Sequence, residues 1–215
     1  MKFKISFLSR LVIFCGLLIV ARFFKTGHYS FLFLFWNLFL AWLPLWAIKK
    51  IKNNDTVIKR RFWLAVSVLF LPNAPYILTD LFHLKKELLA PLWFDLILIL
   101  SFAFLGLIYF ILALDLIFKE IGMTFPVYVQ KLAKPLLFLS SSYGIYLGRY
   151  LRFNSWDIVS QPLHLAGSVY NSIFNGSSFK ETFSVTLTFT VFLYLIYEIY
   201  LSFKKQNIST HHELY

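Results

Sequence analysis

The chain has 215 residues, of which 59% are hydrophobic and only 14% charged. Soluble domains run near about 45–50% and about 25%, so too few polar side chains remain to cover a water-facing surface. A soluble enzyme core, a disordered chain and a collagen-like repeat are excluded, and a mean hydropathy of +0.70 fits a chain dissolved in lipid.

Six apolar runs bounded by charge predict an all-α polytopic membrane protein, a single integral membrane domain over residues 1–215. The first covers residues 7–24. Its uninterrupted core, residues 11–21, spans only about 16 Å, so Arg10 and Arg22 are expected to snorkel towards the interfaces. Ala21-Arg22-Phe23-Phe24 lacks a small-x-small cleavage site, which favours a retained helix over a signal peptide. The second run, 29–48, stops at Lys49-Lys50, and the third, 62–84, follows Arg60-Arg61. The fourth, 92–118, is long enough to need tilt. The fifth is 132–151. The sixth, 183–203, stops at Lys204-Lys205 and leaves a tail at 204–215. A capping box, Ser178-Phe179-Lys180-Glu181, places the start of the last helix near residue 178. Residues 152–182 form an outer segment, in which the apolar spacing of 163–174 suits an interfacial helix.

An even number of spans puts both termini on one side, and lysine and arginine decide which. The terminal side holds Lys2, Lys4, Arg10, the basic run of residues 49–61, Lys119, Lys131, Lys134, Lys204 and Lys205. The other holds Arg22, Lys25, Lys85, Lys86, Arg149, Arg152 and Lys180. The roughly two-to-one excess predicts cytoplasmic termini. The net charge of +11 does not signal nucleic acid, because the basic residues flank spans and form no single patch with interleaved aromatics. Cys15, the one cysteine, excludes an intramolecular disulfide and a cysteine-based zinc cluster. There is no Gly-rich phosphate loop, Gly-x-Ser-x-Gly elbow or paired-histidine motif, so neither cofactor nor metal is expected.

Several polar residues inside or beside the spans need a reason. Pro72 and Pro75 break the third run near mid-membrane, and Ala74, preceding a proline, is biased away from helix. Asn73 is placed either to satisfy the freed carbonyls or to line a site in a discontinuous helix. Asp80 and His83 share a helical face near the outer end of this run. Asp95 lies at the outer start of the fourth, while Arg149, Arg152, Asn154 and Asp157 lie at or beyond the end of the fifth. The topology brings all of these to one depth. Arg149 follows apolar turns and needs a partner, for which Asp80 and Asp95 are the available acids. Ser140, Gly144 and Gly148 make a small-residue stripe suited to helix packing, with Tyr146 and Arg149 projecting from the opposite side. Asn37 is expected to make an interhelical hydrogen bond. Asp115 and Glu198 fall within reach of basic neighbours at the cytoplasmic end.

The strings Trp36-Asn37-Leu38-Phe39-Leu40-Ala41-Trp42 and Leu71-Pro72-Asn73-Ala74-Pro75-Tyr76-Ile77-Leu78-Thr79-Asp80-Leu81-Phe82-His83-Leu84 carry a resemblance. So do Gly144-Ile145-Tyr146-Leu147-Gly148-Arg149 and Asn154-Ser155-Trp156-Asp157. Together they resemble a family of bacterial integral membrane proteins, domain of unknown function 1361. The resemblance implies a multi-pass bacterial cytoplasmic-membrane protein and carries no activity, cofactor or partner with it.

Three functions fit these residues. The first is an outward-facing polar site that binds or transports a small or amphipathic anionic ligand, a free small molecule or a lipid. There Arg149 and Arg152 supply charge, Asp80 and Asp95 orient them, and Asn73, Tyr76, Tyr146 and Asn154 add hydrogen bonds. The second is an enzyme acting on a lipid-linked substrate at the outer leaflet, with Asp80, His83, Asp95 and Asp157 as the acid–base candidates. The third is a scaffold that meets a membrane-protein partner through the Ser140/Gly144/Gly148 stripe and the aromatic surface.

Overall fold

The computed structural model describes residues 5–53, 55–84 and 89–212. Lys2, Lys4, Lys85 and Lys86 of the charge count lie outside them. The described residues fold as helices α1 (Ile5–Thr26), α2 (Phe33–Lys49), α3 (Val57–Phe70), α4 (Asn73–Tyr76), α5 (Leu92–Thr124), α6 (Val127–Arg149), α7 (Asp157–Ser160), α8 (Pro162–Phe174) and α9 (Gly176–His212), with a 3-10 helix at Ile77–His83 after α4. Four stretches among them are long and apolar enough to cross a bilayer: Phe7–Thr26, Val57–His83, Leu92–Thr124 and Ser178–Gln206. Helix α2 is as apolar but has 17 residues, about 25 Å of rise. Helix α6 has 23 residues and carries Lys131, Lys134 and Arg149.

Helix α5 is the central mast. Leu98, Ile99, Phe102, Leu105, Phe110, Ala113, Leu114 and Ile117 are buried over a broad face of it, while Ile97, Leu100 and Phe104 form a narrower exposed apolar stripe. Helices α1, α2, α3, α4 and α6 pack around it, and α9 closes the bundle against α6 and α8. Along α9, Phe183, Leu187, Val191, Leu195 and Ile199 recur every fourth residue and are exposed, while Leu193, Tyr197 and Tyr200 on another face are buried. An exposed apolar stripe of that length is a lipid-facing surface. Helix α9 begins at Gly176, before Ser178, because Asn175 O takes the Ser178 and Phe179 amides. The expected capping box therefore does not set the start. The helix also continues beyond the predicted tail boundary, as far as His212.

The double proline does not extend the chain. Pro72 is the N-cap of α4 in helical conformation, so Pro75 falls in the first turn, where helical amides have no carbonyl partner to lose. Ala74 accordingly stays helical, against the expectation for a residue before proline. The carbonyl freed at Phe70 accepts from Asn73 Nδ2 at 3.0 Å. This compact break is gripped by two glycines on neighbouring helices. A Cβ on Gly106 of α5 would lie 2.5 Å from the Ala74 carbonyl oxygen, and one on Gly144 of α6 would lie 2.6 Å from Pro72 Cβ. The small-residue stripe of α6 thus receives the chain's own Pro72 and, at Gly148, the Tyr76 ring. Gly106→Ala and Gly144→Ala are expected to cost about 1–3 kcal/mol each through overpacking, read as a lowered thermal midpoint of the purified protein. Gly122→Ala, with nothing within 4 Å of the added Cβ, should be neutral or stabilising by up to about 1 kcal/mol.

Candidate functional site

Polar contacts gather at the two ends of the mast. Asp95 and Asp115 on α5 are separated by about 30 Å of helical rise, close to the thickness of a hydrocarbon core. At the Asp115 end, Lys204 Nζ donates to Asp115 at 2.6 and 2.8 Å, Lys134 pairs with Glu198, and Arg60 forks onto Glu120 at 2.8 and 2.9 Å. These pairs tie α9, α6 and α3 to one another and to the mast.

At the other end lie two more arginine–carboxylate pairs, of different kinds. Arg22 of α1 donates Nε and Nη2 to the two Asp95 oxygens at 2.8 and 3.2 Å, and both side chains are 2% exposed. The Phe31 ring lies 4.2 Å under the guanidinium. Arg22 therefore does not snorkel. It turns inward because a carboxylate on the mast matches its fork, which costs less than an unpaired charge at that depth. Asp95 is consequently held by Arg22, and is not the acid that orients Arg149.

The second pair is open. Arg149 Nη1 stands 3.8 Å from Asp80 Oδ1, beyond hydrogen-bond distance, and its guanidinium lies 4.9 Å over the Phe82 ring. Asp80 Oδ2 is instead taken by Asn37 Nδ2 at 2.8 Å, the interhelical bond expected of Asn37. His83 Nδ1 sits 3.3 Å from the Asp80 carbonyl oxygen and 3.9 Å from Oδ1. Among the described residues Arg149, only 15% exposed, makes no hydrogen bond, so its donors remain unspent. Arg22 and Arg60 each commit Nε and Nη2 to a carboxylate fork.

These groups line a polar cavity of about 460 Å³ with Tyr76, Gly148 and Arg152. A second cavity of about 480 Å³ adjoins it, walled by Trp36, Leu40, Val68, Leu69, Leu147 and Leu165. The two share Asn37, Tyr76, Gly148 and Arg152, so the polar and apolar volumes lie side by side. Asn73 and Asn154 line the apolar one, where Asn73 Nδ2 also donates to Ser155 Oγ at 2.8 Å. Ser155 is a contact that its loop position in the sequence did not signal. Helices α7 and α8 contribute Ile158 and Leu165 to the same wall, and Tyr143 pins α8 to α6 through Ser172 at 2.7 Å.

Other sequence candidates lie elsewhere. Tyr146 is buried between Tyr143 and Tyr150, stacked on both, and lines neither cavity. Asp157 is spent on a local turn, accepting from the Asn154 amide at 2.6 Å and from Ser160 Oγ at 3.0 Å. Among the described residues no three His, Cys, Asp or Glu side chains are gathered closely enough to hold a metal ion. Arg152 shows what spacing could not. Its φ of 60° is the left-handed turn that ends a helix, a place usually taken by glycine, yet an exposed arginine occupies it.

This is an all-α polytopic membrane protein, with a mast helix, a broken helix and an amphipathic cavity at one end. The chain belongs to the family described as protein of unknown function (DUF1361), whose model matches residues 36–196. No curated protein and no solved structure matches it. The two pairs make a direct comparison. Arg22→Met, which strands Asp95, should destabilise the protein by about 3–5 kcal/mol. Arg149→Met breaks no hydrogen bond and should cost well under half of that, both read by thermal unfolding in the same nanodiscs.

Proposed function

We propose that this protein binds an amphipathic anionic ligand at the outer leaflet of a bacterial cytoplasmic membrane, with the head group in the polar cavity and the apolar part in the groove. The observation that carries the reading is the unspent guanidinium of Arg149, placed on an aromatic ring in the wall of a polar cavity that shares Asn37, Tyr76, Gly148 and Arg152 with an adjoining apolar one. A cation with uncommitted donors in a low-dielectric wall attracts an anion strongly, because little reorganisation is needed on binding. Asp80, held back by Asn37, positions Arg149 without consuming it.

In this reading the chain crosses the membrane six times, α2 and α6 included, with both termini cytoplasmic. The excess of lysine and arginine on the terminal side supports that orientation. The enzyme alternative narrows to Asp80 and His83, since Asp95 and Asp157 are engaged elsewhere. The scaffold alternative is weakened at Gly144 and Gly148, which pack against Pro72 and Tyr76, while Ser140 and the aromatic surface stay exposed.

The binding reading is tested in nanodiscs of uncharged glycolipid. A single-chain anionic amphiphile at a hundredfold excess over its Kd should raise the wild-type thermal midpoint by about 5–10 °C, and the matching fatty alcohol should not. Arg149→Met should abolish the shift in a protein that still inserts and folds. An equal shift from the alcohol, or an undiminished shift in Arg149→Met, would overturn the reading. Alkaline phosphatase fused after the last residue should be inactive in cells if the C-terminus is cytoplasmic.

A further inference from the structure

Resting on the amphiphile reading above, the geometry points to a narrower ligand class: a phosphate ester carried on a single hydrocarbon chain, with its phosphoryl group between Arg149 and Arg152. Three observations on the site converge on this.

The first is that the polar cavity has two guanidiniums on different elements. Arg149 ends α6, and Arg152 sits in the reversal beyond it. A carboxylate has its two oxygens in one plane and meets a single arginine fork with both, as Asp95 does with Arg22. Its remaining lone pairs lie in that same plane, which limits how a second guanidinium from another element can reach them. A phosphate ester offers oxygens in several directions, and two forks from different elements can share them.

Charge decides in the same direction. With His83 neutral, Arg149 and Arg152 outweigh Asp80 by one positive charge, so an anionic phosphate enters a cavity already biased towards it. Tyr76 lines both cavities, at the junction where an ester oxygen would leave the head for the chain.

Volume sets the number of chains. The groove of about 480 Å³ is large enough for one hydrocarbon chain, and a single chain is the simplest occupant of one such groove beside one head-group cavity. Its walls are aliphatic and aromatic, with Trp36 at the surface of the groove.

Arg152 gives the inference a handle separate from folding. A non-glycine residue in the left-handed region is strained, so Arg152→Gly relieves the backbone while removing the second guanidinium. A residue kept there only to end the helix would be replaced by glycine without loss.

The experiment uses the full chain in digalactosyl-diacylglycerol nanodiscs, which contain no phosphate. The probes are dodecyl phosphate, dodecanoate, inorganic phosphate and didodecanoyl phosphatidic acid, titrated against the thermal midpoint. A chain-brominated dodecyl phosphate is titrated against tryptophan emission. Dodecyl phosphate should bind at least tenfold more tightly than each of the other three, and Arg152→Gly should weaken it at least tenfold while keeping or raising the ligand-free midpoint. Bromine should quench an emission component that Trp36→Phe removes. Equal affinity for dodecanoate would overturn the phosphate assignment and leave the amphiphile reading standing. Equal affinity for phosphatidic acid would overturn the single chain, and equal affinity for inorganic phosphate would overturn the lipid as its source. Failure of every anionic amphiphile to bind would remove the amphiphile reading itself, and this inference with it.

Discussion

A charge carried into hydrocarbon must meet either a counter-charge or a wet cavity, and the arrangement of this bundle follows from how each arginine meets that demand. Arg22 and Arg60 take the first solution, forking onto Asp95 and Glu120 near opposite ends of the same mast helix. Such pairs gain little over apolar packing, yet they are costly to break singly, so they lock register more than they add stability. Arg149 takes the second solution. Its nearest acid is kept at 3.8 Å and its remaining donors face a cavity. The contrast within one chain makes the open pair informative, because the same side chains at the same kind of depth close fully wherever closure is all that is required.

What holds that pair open is the broken third segment. Placing Pro72 and Pro75 at the N-cap and first turn of a short helix keeps the backbone turning while changing its direction. The short helix α4 sets Tyr76 against Gly148 of α6, and the following 3-10 helix carries Asp80 towards Asn37 of α2. The close approaches at Gly106 and Gly144 leave the break no room to straighten. Asn73 within the break satisfies the freed Phe70 carbonyl, and helix packing fixes the distance between a carboxylate and a guanidinium that come from separate spans.

Parts of this were legible in the residues. Long apolar runs bounded by basic residues report helices in lipid directly, since length and hydropathy are local quantities. The polar exceptions within those runs, Asn37, Asn73, Asp80 and Arg149, could be singled out because a polar group in hydrocarbon always needs a reason. Which partner each would find was not local. Arg22 sits close enough to a helix end to suggest an interfacial role, and only the position of α1 against α5 turns it towards Asp95. Asp95 looked equivalent to Asp80 as a partner for Arg149, and Tyr146 looked like a site residue from its helical face. Helix rotation put Tyr146 in an aromatic stack.

The amino-acid sequence alone therefore determined the solvent, the helical class, the place of the break and the roster of polar groups, because burial energy and backbone chemistry act over one or two turns. The tertiary structure decided the pairing, the rotation of each helix and the placing of the two cavities side by side. These depend on angles between helices distant in sequence, where a turn of a few tens of degrees exchanges a buried ring for a guanidinium at the wall of a site.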